Sequence, residues 1–322
     1  MVEDVLKYSV GALLYCPALN TTVADSILSN KFGEKYSLCL CAEDTIAENA
    51  VEQALNQIEL TFKKLYLSCE KSNKKLPNIF IRVRNPEQIE KIFQRVSVYD
   101  SILKGFAFPK YSSLTAEKYN DYFLHVSENT NHDLFMMPIL ESQDIVDYQS
   151  RYKALGTIKK HIDDMKKYVV NVRVGGNDFC NYFGVRRHVD QTIYDISPIN
   201  SILSDILTFF SQEYVVSGPV WEYYSDQNDN WKKGLQNELK YDLLNGFIGK
   251  TVIHPKQISV VNDALKVDKL DYLDAKEILN WKKENSILVH GSVFKERMNE
   301  RKTHYYWAKK IMFLSKCYGI KK

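Results

Sequence analysis

The sequence predicts an α/β chain folded as a (β/α)8 TIM barrel with a helical C-terminal extension. Two observations predict it. Short apolar runs, rich in β-branched and aromatic residues, recur eight times along the first 254 residues. Most are separated by stretches of helical periodicity, and near-continuous apolar strands alternating with amphipathic helices make βαβ units and a parallel sheet. Eight such units close most naturally into a barrel. A doubly wound open sheet is the rival, but no GxGxxG follows the first strand.

The elements follow in order. Strands are expected at Val10–Cys16, Tyr36–Ala42, Asn78–Arg84, Gly105–Pro109, Leu134–Leu140, Tyr168–Val174, Glu213–Val220 and Lys250–His254. The segments Ala47–Leu67 and Pro86–Val96 read as amphipathic helices. A long polar loop, GVRRHVDQTIYDISPIN, precedes a helix expected from about Ser201. No Pro/Gly/Ser-rich linker divides the chain. A barrel averages ~250 residues, so residues 1–256 are assigned to the barrel and 257–322 to an extension, a lid or an oligomer contact.

Composition excludes other classes. Among 322 residues, 45% are hydrophobic and 26% charged, with 21 Tyr and 15 Phe, too apolar for a disordered chain. With 43 basic and 40 acidic residues the net charge is +3, which gives no support to a nucleic-acid partner. No window approaches the ~18 uncharged apolar residues of a membrane span. The N-terminus lacks a basic region before Val10–Leu19, so no signal peptide is expected. The six cysteines follow neither a disulfide nor a zinc pattern, and a cytoplasmic location is the expectation.

Barrel chemistry sits where strands finish. Strand two ends in Glu43 and Asp44, strand three in Arg82 and Arg84, strand four in Lys110 and strand five in Glu141. Strand six runs into Gly175, Gly176 and Asp178, Glu222 follows strand seven, and His254 ends strand eight. Each has a plainer reading: Asp44 as a helix cap, Lys110 as a solvated loop residue, His254 as a core histidine. Glu141 and Asp178 are the most suggestive pair, because Mg2+ typically takes one or two protein carboxylates and leaves its other positions to water and substrate. The alternative is that Asp178 merely opens a helix and Glu141 pairs with an arginine. Gly175 and Gly176 would let a substrate approach closely. Arg82 supplies a bidentate cation for a carboxylate or an enolate oxygen, with either Arg82 or Arg84 as the clamp and the other a partner for Glu43 or Asp44.

Two decoys are set aside. GFIGKT, residues 246–251, resembles the end of a P-loop, but Leu244 stands where that loop needs glycine, and a strand follows. The basic, aromatic C-terminus reads as a docking helix more readily than as an RNA-binding arm.

The segments LLYCPA, CLCAEDTI, IRVRNP, FAFPK, MPILES, VGGNDFCNYFG and NGFIGKTVIHPKQISVVNDA run from about residue 10 to 265. In that order they resemble the citrate lyase β-subunit-like proteins of the HpcH/HpaI aldolase superfamily. The resemblance implies a Mg2+-dependent carbon–carbon lyase on a TIM barrel, often a homotrimer or hexamer. It implies metal binding by Glu141 and Asp178, substrate carboxylate and enolate binding by Arg82, with Arg84 in contention, and Glu43 and Asp44 beside the metal through water. It further implies a small-molecule substrate, a 2-oxo acid or its adduct, a thioester among them; composition adds the expectation of no nucleic-acid or membrane partner. The sequence departs from the pattern at Cys41, where the family has an acid, and in VSGPVWEYY and the GVRRHVDQ loop. Those departures leave a metal-binding scaffold of a biosynthetic or stress-response cluster as the rival, and a thioesterase as a third reading.

Overall fold

The computed structural model describes residues 2–72, 74–281, 288–293 and 295–321. The described chain divides into two compact units, Val10–Val261 and a second that joins residues 1–9 to Asn262–Lys322.

The first unit is a parallel eight-stranded barrel. Its strands are β1 (Ala12–Pro17), β2 (Ser37–Cys41), β3 (Asn78–Arg82), β4 (Leu103–Phe108), β5 (Phe135–Leu140), β6 (Val172–Val174), β7 (Val216–Ser217) and β8 (Lys250–Val252). They pair in the order β7-β6-β5-β4-β3-β2-β1-β8. The ring closes between β7 and β8: Gly218 N–H donates to the Gly249 carbonyl at 3.0 Å and Ile248 N–H to the Val216 carbonyl at 2.8 Å. All eight expected strands are present, and the last three are shorter than their apolar runs. β7 stops at Ser217 because Gly218 and Pro219 follow, and proline has no N–H to continue a ladder.

Strand composition explains the sheet. Every residue of β2 is buried, as a strand covered on both faces requires. β4 departs from its expected start at Gly105: it begins at Leu103 and shifts register against β3 between Ile79 and Phe80. Gly105 sits at φ +144°, and a Cβ there would lie 1.7 Å from the Phe135 carbonyl oxygen of β5, so only glycine fits.

The helices bury one stripe each. Val51–Ser72 covers the sheet with Ala54, Leu55, Ile58, Phe62 and Leu65, and Glu87–Val96 with Ile89, Ile92, Phe93 and Val96. The helix expected from Ser201 starts four residues earlier, at Ser197, where Pro198 sits in the first turn, a position whose N–H needs no helical partner.

In the second unit the helix Val2–Ser9 lies with the helices Lys269–Leu279 and Tyr305–Tyr318 and a hairpin of Val289–Gly291 and Met298–Glu300. Tyr8 stacks on Phe313 at 5.0 Å, and the Tyr318 hydroxyl donates to the Tyr8 carbonyl at 2.9 Å. The first nine residues therefore go with the tail, not with the 1–256 barrel segment to which the sequence assigns them. Residues 282–287, 294 and 322 of the 257–322 extension lie outside the described residues. Among the described residues no helix is long and apolar enough to cross a membrane.

Candidate active site

Around the ends of β1 to β3 and β5 to β8, a cleft of about 180 Å³ is lined by Tyr15, Asp44, Arg82, Glu141, Arg173, Asp178 and Thr251, among others. Arg82, the last residue of β3, is 8% exposed and gathers the acids. Its Nη2 lies 2.5 Å from Glu43 Oε2, 2.9 Å from Asp44 Oδ2 and 3.5 Å from Glu141 Oε1. Its Nε is buried with no hydrogen-bond partner, and the guanidinium stands 5.6 Å over the Tyr15 ring.

Glu141 follows β5 and is 2% exposed. Its Oε1 accepts the Lys110 backbone N–H at 2.9 Å. Lys110 adopts φ +50°, rare for a residue with a side chain. Its ammonium reaches Glu43 Oε1 at 3.1 Å. Asp178 stands in the first turn of the helix Gly176–Phe183. So Glu141 does pair with an arginine and Asp178 does open a helix, yet both face one cleft.

The electrostatics follow from crowding four carboxylates there. Burial, then the charge of Asp178, pushes Glu141 up to about 8 despite Arg82. Burial and Asp44 likewise raise Asp178, which lies close enough to Glu141 to share a hydrogen bond. Burial raises Glu43 as well. Burial also works to raise Asp44, but a hydrogen bond with Glu43 and the charges of Arg82 and Lys110 outweigh it, and its carboxyl ends below the usual range.

Gly175 and Gly176 line the cleft, but the space beside them is taken by protein. A Cβ on Gly175 would lie 2.0 Å from Glu141 Oε2, and one on Gly176 2.6 Å from Pro219 Cβ. They admit the carboxylate and the loop after β7, where the sequence suggested room for substrate. Arg84 is not in the cleft: β3 has ended, and the side chain turns to Glu48 Oε2 at 2.9 Å and to the Glu43 carbonyl at 3.3 Å. Glu222 pairs with Arg186 at 3.2 Å, and His254 stacks on Tyr224 at 4.8 Å. Lys250 of the rejected P-loop is fully buried against Glu238 and Asp242 at 2.9 and 2.7 Å.

Sequence reasoning missed Tyr15, Arg173 and Thr251. The available signal was a charged or polar residue inside an otherwise apolar strand run, as Arg173 is in VNVRVGG.

Among the described residues no group of three or more His, Cys, Asp or Glu is arranged to hold a metal. A pair of carboxylates does fit a hard divalent cation that keeps water and substrate oxygens as its other ligands. Burial is the first cause of the upward shift of both Glu141 and Asp178, and a neighbouring carboxylate adds to each, Asp178 for Glu141 and Asp44 for Asp178; a bound cation would offset that charge.

A family model described as C-C bond lyase of the TIM-barrel fold matches residues 4–320. Among solved structures, the chain is similar to protein CitE from Mycobacterium tuberculosis in complex with magnesium, acetoacetate and coenzyme A. Identity is 17%, covering 96% of this chain and 99% of that one, with a TM-score of 0.59. The citrate lyase β subunit of the same organism complexed with oxaloacetate and magnesium matches at 19% identity, over 80% of this chain and 98% of that one, TM-score 0.52. RipC from Yersinia pestis matches at 14%, over 80% and 95%, TM-score 0.53. At these identities the likeness is one of fold. No curated protein sequence matches the chain.

Proposed function

The chain belongs to the C-C bond lyase family of the TIM-barrel fold, and on that premise we propose that it makes or breaks a carbon–carbon bond in a 2-oxo acid or hydroxy-acid-derived substrate, with Mg2+ on Glu141 and Asp178. The observation that carries the reading is the convergence of those two carboxylates with Arg82 in one cleft at the strand ends. The CitE proteins, which share the fold, bind magnesium together with oxaloacetate, a 2-oxo acid, or acetoacetate, a 3-oxo acid.

When bound, Mg2+ would supply Lewis-acid stabilisation of charge on the oxygens of the acid. The protein's own groups do the rest. Arg82 keeps Nη2 on its three acids, and its guanidinium lines the cleft where a substrate carboxylate or an enolate oxygen would bind. Glu43 and Asp44 hold Arg82 in place, and Lys110 anchors Glu43. Asp44, whose carboxyl lies below the usual range, is the proton acceptor at the cleft, while Glu43 stays paired with Arg82 and Lys110. A homo-oligomer belongs to the same reading.

The test is enolisation. With Mg2+ and pyruvate in D2O, the protein is expected to exchange the methyl protons, as followed by NMR. Glu141→Gln and Asp178→Asn each abolish exchange and weaken Mg2+ binding by more than the roughly 10–100-fold that loss of a merely supporting residue costs. Full exchange and undiminished Mg2+ binding in both variants would overturn the site. Bound Mg2+ without exchange of any 2-oxo acid would favour a barrel that kept the site as a binding module.

A further inference from the structure

Tyr15 stands in the cleft between two arginines. Within β1 only Tyr15 and the terminal Pro17 escape full burial, and Tyr15 lines the cleft with Glu141 and Asp178. The Arg82 guanidinium lies 5.6 Å over its ring, and the Arg173 guanidinium lies close enough to its hydroxyl to share a hydrogen bond. In that bond the arginine can only donate, so the tyrosine oxygen accepts and its proton is left for another partner. Among the described residues no acceptor takes it.

Arg173 is itself held in one place. It lies in β6 and is 1% exposed; Nη2 donates to Thr251 Oγ1 at 2.6 Å and Nη1 to Asn171 Oδ1 at 3.1 Å. Those partners are neutral, and among the described residues no carboxylate pairs with it. Other buried cations have acids: Arg82 has Glu43, Asp44 and Glu141, Arg151 has Asp205, and Lys250 has Glu238 and Asp242. Burial of an unpaired charge is strongly unfavourable, and arginine cannot shed its proton to escape it. A hydroxyl that accepts a bond from a cation is polarised into a stronger donor. The uncompensated charge of Arg173 thus acts through Tyr15 on an oxygen placed before it, and nothing has to reorient when that oxygen turns negative.

We propose that Tyr15 is a catalytic residue whose hydroxyl donates to the enolate oxygen as the carbon–carbon bond breaks, with Arg173, fixed by Thr251 and Asn171, as the positioning residue behind it. In the cleavage direction the substrate's hydroxyl proton goes to Asp44, and its oxygen becomes the carbonyl of one fragment. The electron pair of the broken carbon–carbon bond ends on the enolate oxygen of the other. Tyr15 keeps its proton throughout and shares it with that oxygen, in a bond that strengthens as the charge builds. This rests on the reading of the site given above and adds a donor to it.

Oxalate and pyruvate test this. Oxalate places charged oxygen where the enolate of pyruvate carries it, whereas pyruvate itself has a neutral carbonyl there. Binding of each to the full chain with Mg2+ is measured by titration calorimetry. The unaltered protein is expected to favour oxalate. Tyr15→Phe, which removes a single oxygen atom, is expected to weaken oxalate by roughly 10- to 100-fold, the strength of a hydrogen bond to a charged group, with pyruvate affinity nearly unchanged. The same variant slows deuterium exchange of the pyruvate methyl by about 100-fold or more. Arg173→Met also weakens oxalate more than pyruvate, and it adds nothing further in the Tyr15→Phe background. A role in barrel packing alone would move both ligands together and would add in full. Equal affinities for the two ligands in the unaltered protein, which need no variant to fold, overturn the proposal, as does an oxalate affinity that Tyr15→Phe leaves undiminished. Binding of neither ligand in the presence of Mg2+ sinks the 2-oxo acid site itself, a different result from equal binding of both.

Discussion

At the scale of single residues, Gly175 does more than its size suggests. Its missing side chain is the space the Glu141 carboxylate occupies, since a Cβ would come within 2.4 Å of the Glu141 Cβ and closer still to Oε2. Glu141 is fixed from the other side by the Lys110 backbone N–H at 2.9 Å, so it has no free direction in which to give way. Gly175→Ala is therefore expected to weaken Mg2+ binding at least ~10-fold, on the scale of losing an outer-shell support, while the circular dichroism spectrum stays that of the parent. Titration calorimetry checks it, and parental affinity would show that Glu141 has room to move. The sequence showed Glu141, Asp178 and Arg82 readily, because charges at the ends of apolar strands are conspicuous. It could not choose between Arg82 and Arg84. That depended on β3 stopping at Arg82, after which strand alternation no longer governs where the next arginine points.

At the scale of elements, the loop that looked unexplained in the sequence is tied down by buried charge. Arg187 Nε meets Glu238 Oε2 at 3.1 Å and its guanidinium covers Trp221 at 5.2 Å. Glu238 Oε2 accepts the Ile193 N–H at 2.8 Å, and the Tyr194 hydroxyl donates to Asp242 Oδ1 at 2.6 Å. Lys250 of β8 completes the group, so loop 184–196, helix Asn230–Asn245 and β8 share one network. Gln257 adds a neutral clasp: its amide donates to the Trp221 and Tyr223 carbonyls at 3.0 and 2.9 Å, and its oxygen accepts the Ile253 N–H at 2.8 Å. The GFIGK and IHPKQ segments that carry the resemblance are thus chiefly structural. Lys250→Met leaves the buried Asp242 without a cation and is expected to cost about 3–5 kcal/mol, read from the urea midpoint. Glu52→Gln, which breaks the exposed pair with Arg95 at 2.7 Å, is expected to cost under ~1 kcal/mol in the same measurement. Comparable losses would mean the buried group carries no special weight.

At the scale of the whole molecule, the architecture was legible because eight apolar runs at regular intervals leave few ways to bury them. The order of the strands and the helices between them follow from that spacing alone. The tail was set off in the sequence close to Val261, but the place of residues 1–9 was not legible. The stacking of Tyr8 on Phe313 joins residues more than 300 positions apart in the chain, and no local pattern announces it. Arg173 was hidden for a related reason. Its setting depends on strands distant in the sequence: Tyr15 of β1 and Thr251 of β8 share the cleft lining with it.

Closure of the ring between β7 and β8 has its own consequence. β1 and β2 pair over five residues, whereas β7 is two residues long and meets β8 through a single bridge, Gly218 to Lys250. The barrel has a seam, held by two backbone hydrogen bonds and the Ser217 hydroxyl on the Ile248 carbonyl. Native-state amide exchange is expected to open there first, with Gly218 and Ile248 protected less than Leu38 or Ile81 and least of all in Lys250→Met. Uniform protection around all eight strands would contradict this. If it holds, the ring behaves in solution as a strip with one defined place to come undone.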